Sequence, residues 1–78
     1  MVIQLIEGQF SPNEAIDILT QMIHVKIKYH EDKIKICQNE EDVKMREKKI
    51  KFLQRELSEA REYIEKNGQI KLTSQITL

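Results

Sequence analysis

The sequence predicts a mainly α-helical protein: an antiparallel two-helix hairpin with short extended, β-like ends, dimerising into an assembly that resembles a four-helix bundle. Two amphipathic stretches of nearly equal length, 12–37 and 40–67, are separated by only two residues. So short a connection forces two consecutive helices to lie antiparallel. The ends of the 78-residue chain instead carry short β-branched runs, which the hairpin brings together.

The first helix is predicted to span 11–37. Ser11 is placed to cap it, Pro12 fits the first helical position, and Glu14 can complete a reciprocal capping box. The apolar residues that follow form two neighbouring stripes, together wider than one partner helix can cover, and this excess predicts a further partner. The first stripe is Ile16, Leu19, Ile23, Ile27, Ile34 and Cys37, and the second is Ala15, Ile18, Met22, Val25, Tyr29 and Ile36.

The second helix is predicted to span 40–67, after a turn at 38–39. Asn39 caps it, acidic residues fill its first turn, where the helix dipole favours negative charge, and Gly68 ends it. Its apolar residues follow a narrow, heptad-like seam. Folding the chain about the turn places this seam against the first stripe and predicts a core of Ile16, Leu19, Ile23, Ile27, Ile34, Val43, Ile50, Leu53, Leu57 and Ile64.

An alternative for 25–36 is a hairpin of two strands. The segment alternates between apolar and polar residues with period two on both sides of a polar stretch. It has no Gly, Pro or Asn to form a tight turn, and strands here would leave a first helix of only three or four turns. Helix is therefore preferred, and the strand hairpin stays open as the alternative.

The two ends of the chain, 1–10 and 68–78, are predicted to be extended. Each contains a short apolar, β-branched run next to a glycine, Gly8 in one and Gly68 in the other. The two segments can pair as a small sheet, either within one chain or between two chains. The alternative is that the last residues fray, as chain ends commonly do.

Composition excludes several classes of function. The 13 Lys and Arg residues balance 13 Asp and Glu residues, so the chain has no net charge to attract nucleic acid or an anionic membrane at long range. Cys37 is the only cysteine, which rules out an intrachain disulfide and favours a reducing, cytoplasmic location. The first residues lack the basic segment and the long apolar run of a signal peptide or a membrane span, so we expect no membrane association.

The sequence predicts no catalytic residues, cofactor or metal site. Two glycines are too few for a phosphate-binding loop or a dinucleotide fingerprint. His24 and His30 point about 120° apart on a helix, so they cannot bind one metal ion together, even with Glu31 and Asp32 close in sequence. Cys37 ends an apolar stripe and is interpreted as a small buried hydrophobic residue rather than a nucleophile.

Polar residues interrupt the apolar side of the first helix. Lys26, His30 and Lys33 project towards its middle, near Arg46 and Glu47 of the antiparallel helix. Such positions usually fix the register of a helical bundle. A pH-sensitive pair of His30 with Glu47 is one interpretation, and an exposed histidine at this position is the preferred one.

A self-association surface is predicted from the apolar residues that the hairpin leaves uncovered. Met45, Phe52 and Tyr63 form a sparse stripe about a third of a turn from the main seam, and exposed aromatic side chains require a partner. With the surplus stripe of the first helix they predict a self-complementary surface and a homodimer, the alternative being that the terminal segments cover them within a monomer. The predicted surface is Ile18, Met22, Val25, Tyr29, Met45, Phe52 and Tyr63.

A basic stripe on the second helix is the other candidate site. Lys44, Lys48, Lys51 and Arg55 share one side of the helix at 100° per residue and can follow the phosphate backbone of a nucleic acid. A solvated helix face is the simpler interpretation, because several acidic residues are spaced for ordinary ion pairs one turn away. These pairs are Glu40 with Lys44, Glu47 with Lys51, and Arg55 with Glu59.

The predicted function is therefore that of a non-enzymatic interaction module that self-associates and presents a charged surface to an unidentified macromolecular partner. The alternative is a small nucleic-acid-binding accessory protein that uses the basic stripe. The two differ in their response to salt, because phosphate binding weakens steeply as salt rises whereas apolar association does not.

Overall fold

The computed structural model describes residues 1–78 and contains four elements: β1 (Val2–Phe10), α1 (Pro12–Ile36), α2 (Glu40–Asn67) and β2 (Ile70–Thr77). The two helices pack against each other, and the two strands form an antiparallel sheet. The predicted fold class is confirmed in these two respects. The strand hairpin considered for 25–36 does not form, because that segment is helical throughout as the last part of α1. Neither helix has the length and apolarity that a membrane span requires.

α1 begins with the predicted capping box. The Ser11 Oγ accepts a hydrogen bond from the Glu14 amide at 3.3 Å, and the Glu14 Oε1 accepts one from the Ser11 amide at 3.1 Å. The bond from the Ser11 amide, and after it the one with the Ser11 side chain, lowers the pKa of Glu14 because both favour the charged carboxylate. Pro12 occupies the first turn, where its missing amide is not needed.

α2 is bounded by a cap at each end. The Asn39 Oδ1 accepts hydrogen bonds from the amides of Glu41 at 2.9 Å and Asp42 at 3.4 Å. The helix stops at Gly68, whose φ of 72° is a backbone conformation that residues with a Cβ rarely adopt. Between the helices, Cys37 ends α1 by donating its amide to the Ile34 carbonyl at 3.2 Å.

The strands pair within one chain, which decides between the two pairings open from the sequence. They run from Val2 opposite Thr77 to Phe10 opposite Ile70. This ribbon continues directly from the open end of the helical hairpin, and α1 contacts both strands. These contacts hold the ribbon against α1.

A β-bulge at Leu5 gives the ribbon one apolar face. Leu5 has no cross-strand partner because the register shifts by one residue between Gln4 and Ile6. The shift rotates Ile3 onto the face that carries its partner Ile76. The apolar residues on this side of the ribbon are half-buried near the helices and exposed towards the chain ends. They are Ile3, Ile6, Phe10, Ile70, Leu72 and Ile76.

The molecule is a single layer. Its extents are 44 × 33 × 13 Å, and the shortest is close to the diameter of one helix. The radius of gyration is 15.0 Å, whereas a compact domain of this length has about 11–12 Å. The accessible surface is 6234 Å², compared with about 5,000 Å² for a typical monomer of this mass. The chain therefore exposes about 1,200 Å² that a compact domain of its size would bury.

The core is smaller than predicted. Of the ten predicted core residues only Leu53 and Ile64 are buried, and the other eight are half-buried. Ala15 is fully buried, and His30 completes the buried set. The reason is the single layer, because each helix is covered by its neighbour along one edge and nothing lies above or below the pair.

Candidate functional site

The flat hairpin has one polar and one apolar side. On the apolar side an open groove of about 730 Å³ runs between the helices, and Tyr29, Met45 and Phe52 line it. Both helices thus direct their surplus apolar residues to the same side. The groove on the opposite side is lined mainly by polar residues, which are His24, Lys28, Glu31, Asp32, Lys35 and Gln54, with Ile27 and Leu57 at its base.

We define the apolar face as the seven residues of the predicted self-association surface. Ile18, Met22 and Val25 lie within about 40° of Tyr29 around α1. The alternative that the terminal segments cover this surface is wrong for five of the seven, because these are at least 45% exposed and the ribbon leaves them open. The exposed five are Val25, Tyr29, Met45, Phe52 and Tyr63, whereas Ile18 and Met22 are half-buried.

Basic side chains surround the middle of the apolar face. The Lys33 Nζ lies 5.7 Å, and the Arg46 guanidinium carbon 5.8 Å, from the centre of the Tyr29 ring, within the range of cation–π attraction. Glu56 is the only acidic residue that lines the groove. This basic cluster comprises Lys26, Lys33, Arg46, Lys48 and Lys49.

His30 lies beneath this cluster, and both expectations for it are wrong. It is only 8% exposed, and its Nδ1 lies 3.1 Å from the Arg46 Nη1 rather than near Glu47. A guanidinium can only donate, so the His30 Nδ1 must be the unprotonated acceptor. Arg46 takes this place because it falls within the seam that faces α1, while Glu47 is turned a further 100° round α2.

The neutral state of His30 predicts that acid destabilises the fold. Burial lowers its pKa from the ordinary 6.5, and so do the charges of Arg46, Lys49 and Lys26 that face it from both helices. Between that lowered pKa and 6.5 the unfolded chain binds the extra proton, so stability is present above pH 6.5 and is lost as the pH falls. Thermal unfolding at fixed protein concentration should therefore give a lower Tm at pH 5 than at pH 7.5.

His30→Leu should raise the Tm at pH 7.5 and reduce its fall towards pH 5. Leucine fills the buried site and cannot be protonated. Each added 1 kcal/mol of unfolding free energy raises the Tm by about 4–8 °C for a domain of this size. The matched control is His24→Leu, at an exposed position on the same helix, which should keep the full acid response. A His30→Leu protein with a lower Tm than the parent at pH 7.5 would show that the hydrogen bond to Arg46 matters more than apolar filling.

The basic stripe lies on the side of α2 that faces away from α1. Lys44, Lys48, Lys51 and Arg55 are all exposed, roughly opposite Leu53, which faces α1. The ion pairs expected for them with Glu40, Glu47 and Glu59 do not form. Both salt bridges of the chain instead join lysines of α1 to Asp32. The stripe is therefore free of neutralising carboxylates.

The metal-ligand types of α1 lie apart. His24, Glu31 and Asp32 line the polar groove, while His30 is buried against Arg46 on the other side. No three His, Cys, Asp or Glu side chains in the chain come together in an arrangement that can hold a metal ion. Cys37 is half-buried, and its Sγ donates to the Asn39 carbonyl at 3.6 Å.

Comparison with known proteins gives no relative for this chain. No family model matches it, and no curated protein and no solved structure does so either. The apolar face and the basic stripe are the two features from which a function can be inferred.

Proposed function

We propose that this chain is a non-enzymatic interaction module that self-associates through its apolar face and presents a charged surface to a macromolecular partner. The observation that carries the proposal is the position of the surplus apolar residues on one side of a single-layer molecule. Five of the seven remain at least 45% exposed, two of them tyrosines and one a phenylalanine. Aromatic side chains of this size are what protein interfaces use as anchors.

The exposed area supports a second copy as the first partner. The chain exposes about 1,200 Å² more than a compact monomer would, and a standard interface buries about 800 Å² per partner. A second hairpin stacked on the apolar face supplies the missing layer and gives a four-helix arrangement, in which the half-buried residues of this face, Ile18 and Met22, become core. The basic stripe borders the apolar face, because Lys48 lines the groove and the Arg55 guanidinium carbon lies 5.3 Å from the centre of the Phe52 ring. Lys44 and Lys51 lie further round α2 and stay available to a further partner, in a reducing cytoplasmic setting that suits the single cysteine.

The mass of the purified chain in solution tests this proposal. Light scattering during size exclusion at tens of micromolar should give twice the chain mass of 9.3 kDa. The dimer should persist in 1 M salt, because apolar association does not weaken as salt rises. A mass of 9.3 kDa under these conditions would contradict self-association and leave the apolar face to a different protein.

Nucleic-acid binding is the second candidate function. It is supported by the basic stripe, whose side chains form no ion pairs within the chain and are therefore free to contact phosphates. Four phosphate contacts predict a slope of log K against log salt of about −3.6 on duplex DNA. Fluorescence anisotropy with a labelled duplex measures this slope. Lys44→Gln should reduce it by about 1, while Lys71→Gln on the ribbon should leave it unchanged. Binding that is absent at low salt would remove this candidate.

A further inference from the structure

The charges on the apolar side change sign along α2. Lys49 and Glu56 both line the groove, on either side of Phe52. They are two helical turns apart, about 10 Å along the axis. Neither has an ion-pair partner within the chain, since both salt bridges involve Asp32. An aromatic residue flanked by unpaired charges of opposite sign restricts the orientation in which a second copy can bind to this surface.

We infer that the two copies pack α2 against α2 in antiparallel orientation, with the two-fold axis beside Phe52. Lys49 of each copy then forms an ion pair with the partner subunit's Glu56. This inference rests on the proposed self-association and adds the geometry of the contact. In a two-fold interface each contact occurs twice, so one favourable pair of residues contributes two ion pairs.

The positions along the helix support this arrangement. In antiparallel helices related by a two-fold axis, residues at equal distances from the axis come level with each other. Lys49 and Glu56 are equally far from a point between residues 52 and 53, and they lie within about 20° of each other around α2. Lys49 of one α2 therefore comes level with the partner subunit's Glu56.

A parallel arrangement of the two α2 helices is disfavoured by the same charges. It would place Lys49 level with the partner's Lys49, and Glu56 level with the partner's Glu56. Like charges brought together at an interface are a common means of excluding a wrong arrangement. The basic cluster of one subunit would also face the basic cluster of the other, with no carboxylate between them to reduce the repulsion.

Charge reversal with mixing tests the arrangement. Lys49→Glu and Glu56→Lys each replace both ion pairs by like-charge contacts, and each should raise the dissociation constant at least about tenfold. Mixing the two variants one to one should restore tight association, because every contact in the mixed dimer again joins opposite charges. Native mass spectrometry separates the mixed dimer from either homodimer, and the double variant should dimerise like the parent.

The single cysteine provides a second measurement on the unaltered chain. A spin label on Cys37 marks the turn end of each hairpin. The antiparallel arrangement places the two labels roughly 40 Å apart, whereas a parallel one places them within about 25 Å. Double electron–electron resonance measures distances between spin labels in this range.

The outcomes separate this inference from the proposal on which it rests. A wild-type monomer at all concentrations would overturn self-association itself. A wild-type dimer whose single variants associate normally, or whose mixed variants stay apart, would overturn the antiparallel contact alone. A label distance below about 25 Å would also overturn it, whatever the variants do. Restored association on mixing together with a long label distance would establish it.

Discussion

Phe52→Glu is expected to convert the self-associated protein into a folded monomer. Phe52 is 52% exposed in the single chain, so about 100 Å² of its side chain is left for a partner to cover. At about 25 cal/mol/Å² this is ~2.5 kcal/mol per chain, and the two-fold axis doubles it. The dissociation constant should rise by more than about a thousandfold, before any penalty for burying the carboxylate.

Sedimentation equilibrium over a range of concentrations measures this change, and far-UV circular dichroism verifies that the variant stays helical. The matched control is Gln54→Glu, which introduces the same residue and the same charge two positions away, on the polar groove. The control should dimerise like the parent. Equal dissociation constants for Phe52→Glu and the parent would mean that the two copies do not meet on the apolar face.

Ile64→Ala is expected to remove a large share of the folding free energy. Ile64 is 2% exposed and is one of only three buried apolar residues. Truncating a buried isoleucine to alanine costs about 2–5 kcal/mol, and a chain of this length has a total of roughly 4–12 kcal/mol. Because only Ala15, Leu53 and His30 are otherwise buried, the chain has little core that can shift to fill the cavity.

Urea unfolding followed by circular dichroism, at one fixed protein concentration, measures the loss. Glu62→Ala is the control, since it truncates an exposed residue on the same turn of α2 and should change stability by less than about 0.5 kcal/mol. A loss below about 1 kcal/mol for Ile64→Ala would show that the junction repacks around the smaller side chain.

The helix boundaries were predictable from the sequence because local chemistry determines them. Ser11 with Glu14 satisfies the free amides at the start of α1, and Asn39 does so for α2. Gly68 supplies the backbone conformation in which α2 ends. Each of these signals acts within four residues, so no knowledge of the rest of the fold is needed to interpret it.

The environment of His30 was not predictable in the same way. Whether it meets Arg46 or Glu47 depends on the rotation of α2 about its own axis, and one residue changes that rotation by 100°. Nor does the sequence show the bulge at Leu5, which depends on how the strands align once the helices have brought them together. Both features follow from tertiary packing rather than from local preference.

The amount of burial was overestimated for a related reason. The apolar stripes predicted a core of ten residues, which assumes a second layer above the helices. One chain supplies only a single layer, so Ile23 and Ile50 are half-buried while Phe52 and Tyr63 are exposed. The sequence showed that surplus apolar surface exists, and the structure shows that it lies on one side.

Quenching of tyrosine fluorescence by acrylamide is the most direct test of the claim that the apolar face is covered by a second copy. Tyr29 and Tyr63 are the only tyrosines, the chain has no tryptophan, and both tyrosines belong to the apolar face. In the single chain they are 54% and 62% exposed. Acrylamide is neutral, so the basic cluster neither attracts nor repels it. Quenching should be weak at concentrations where the chain is dimeric, and should rise on dilution to the level of the Phe52→Glu monomer. A species with the mass of two chains whose tyrosines are quenched as strongly as in that monomer would contradict the account, and would place the contact elsewhere, such as on the ribbon.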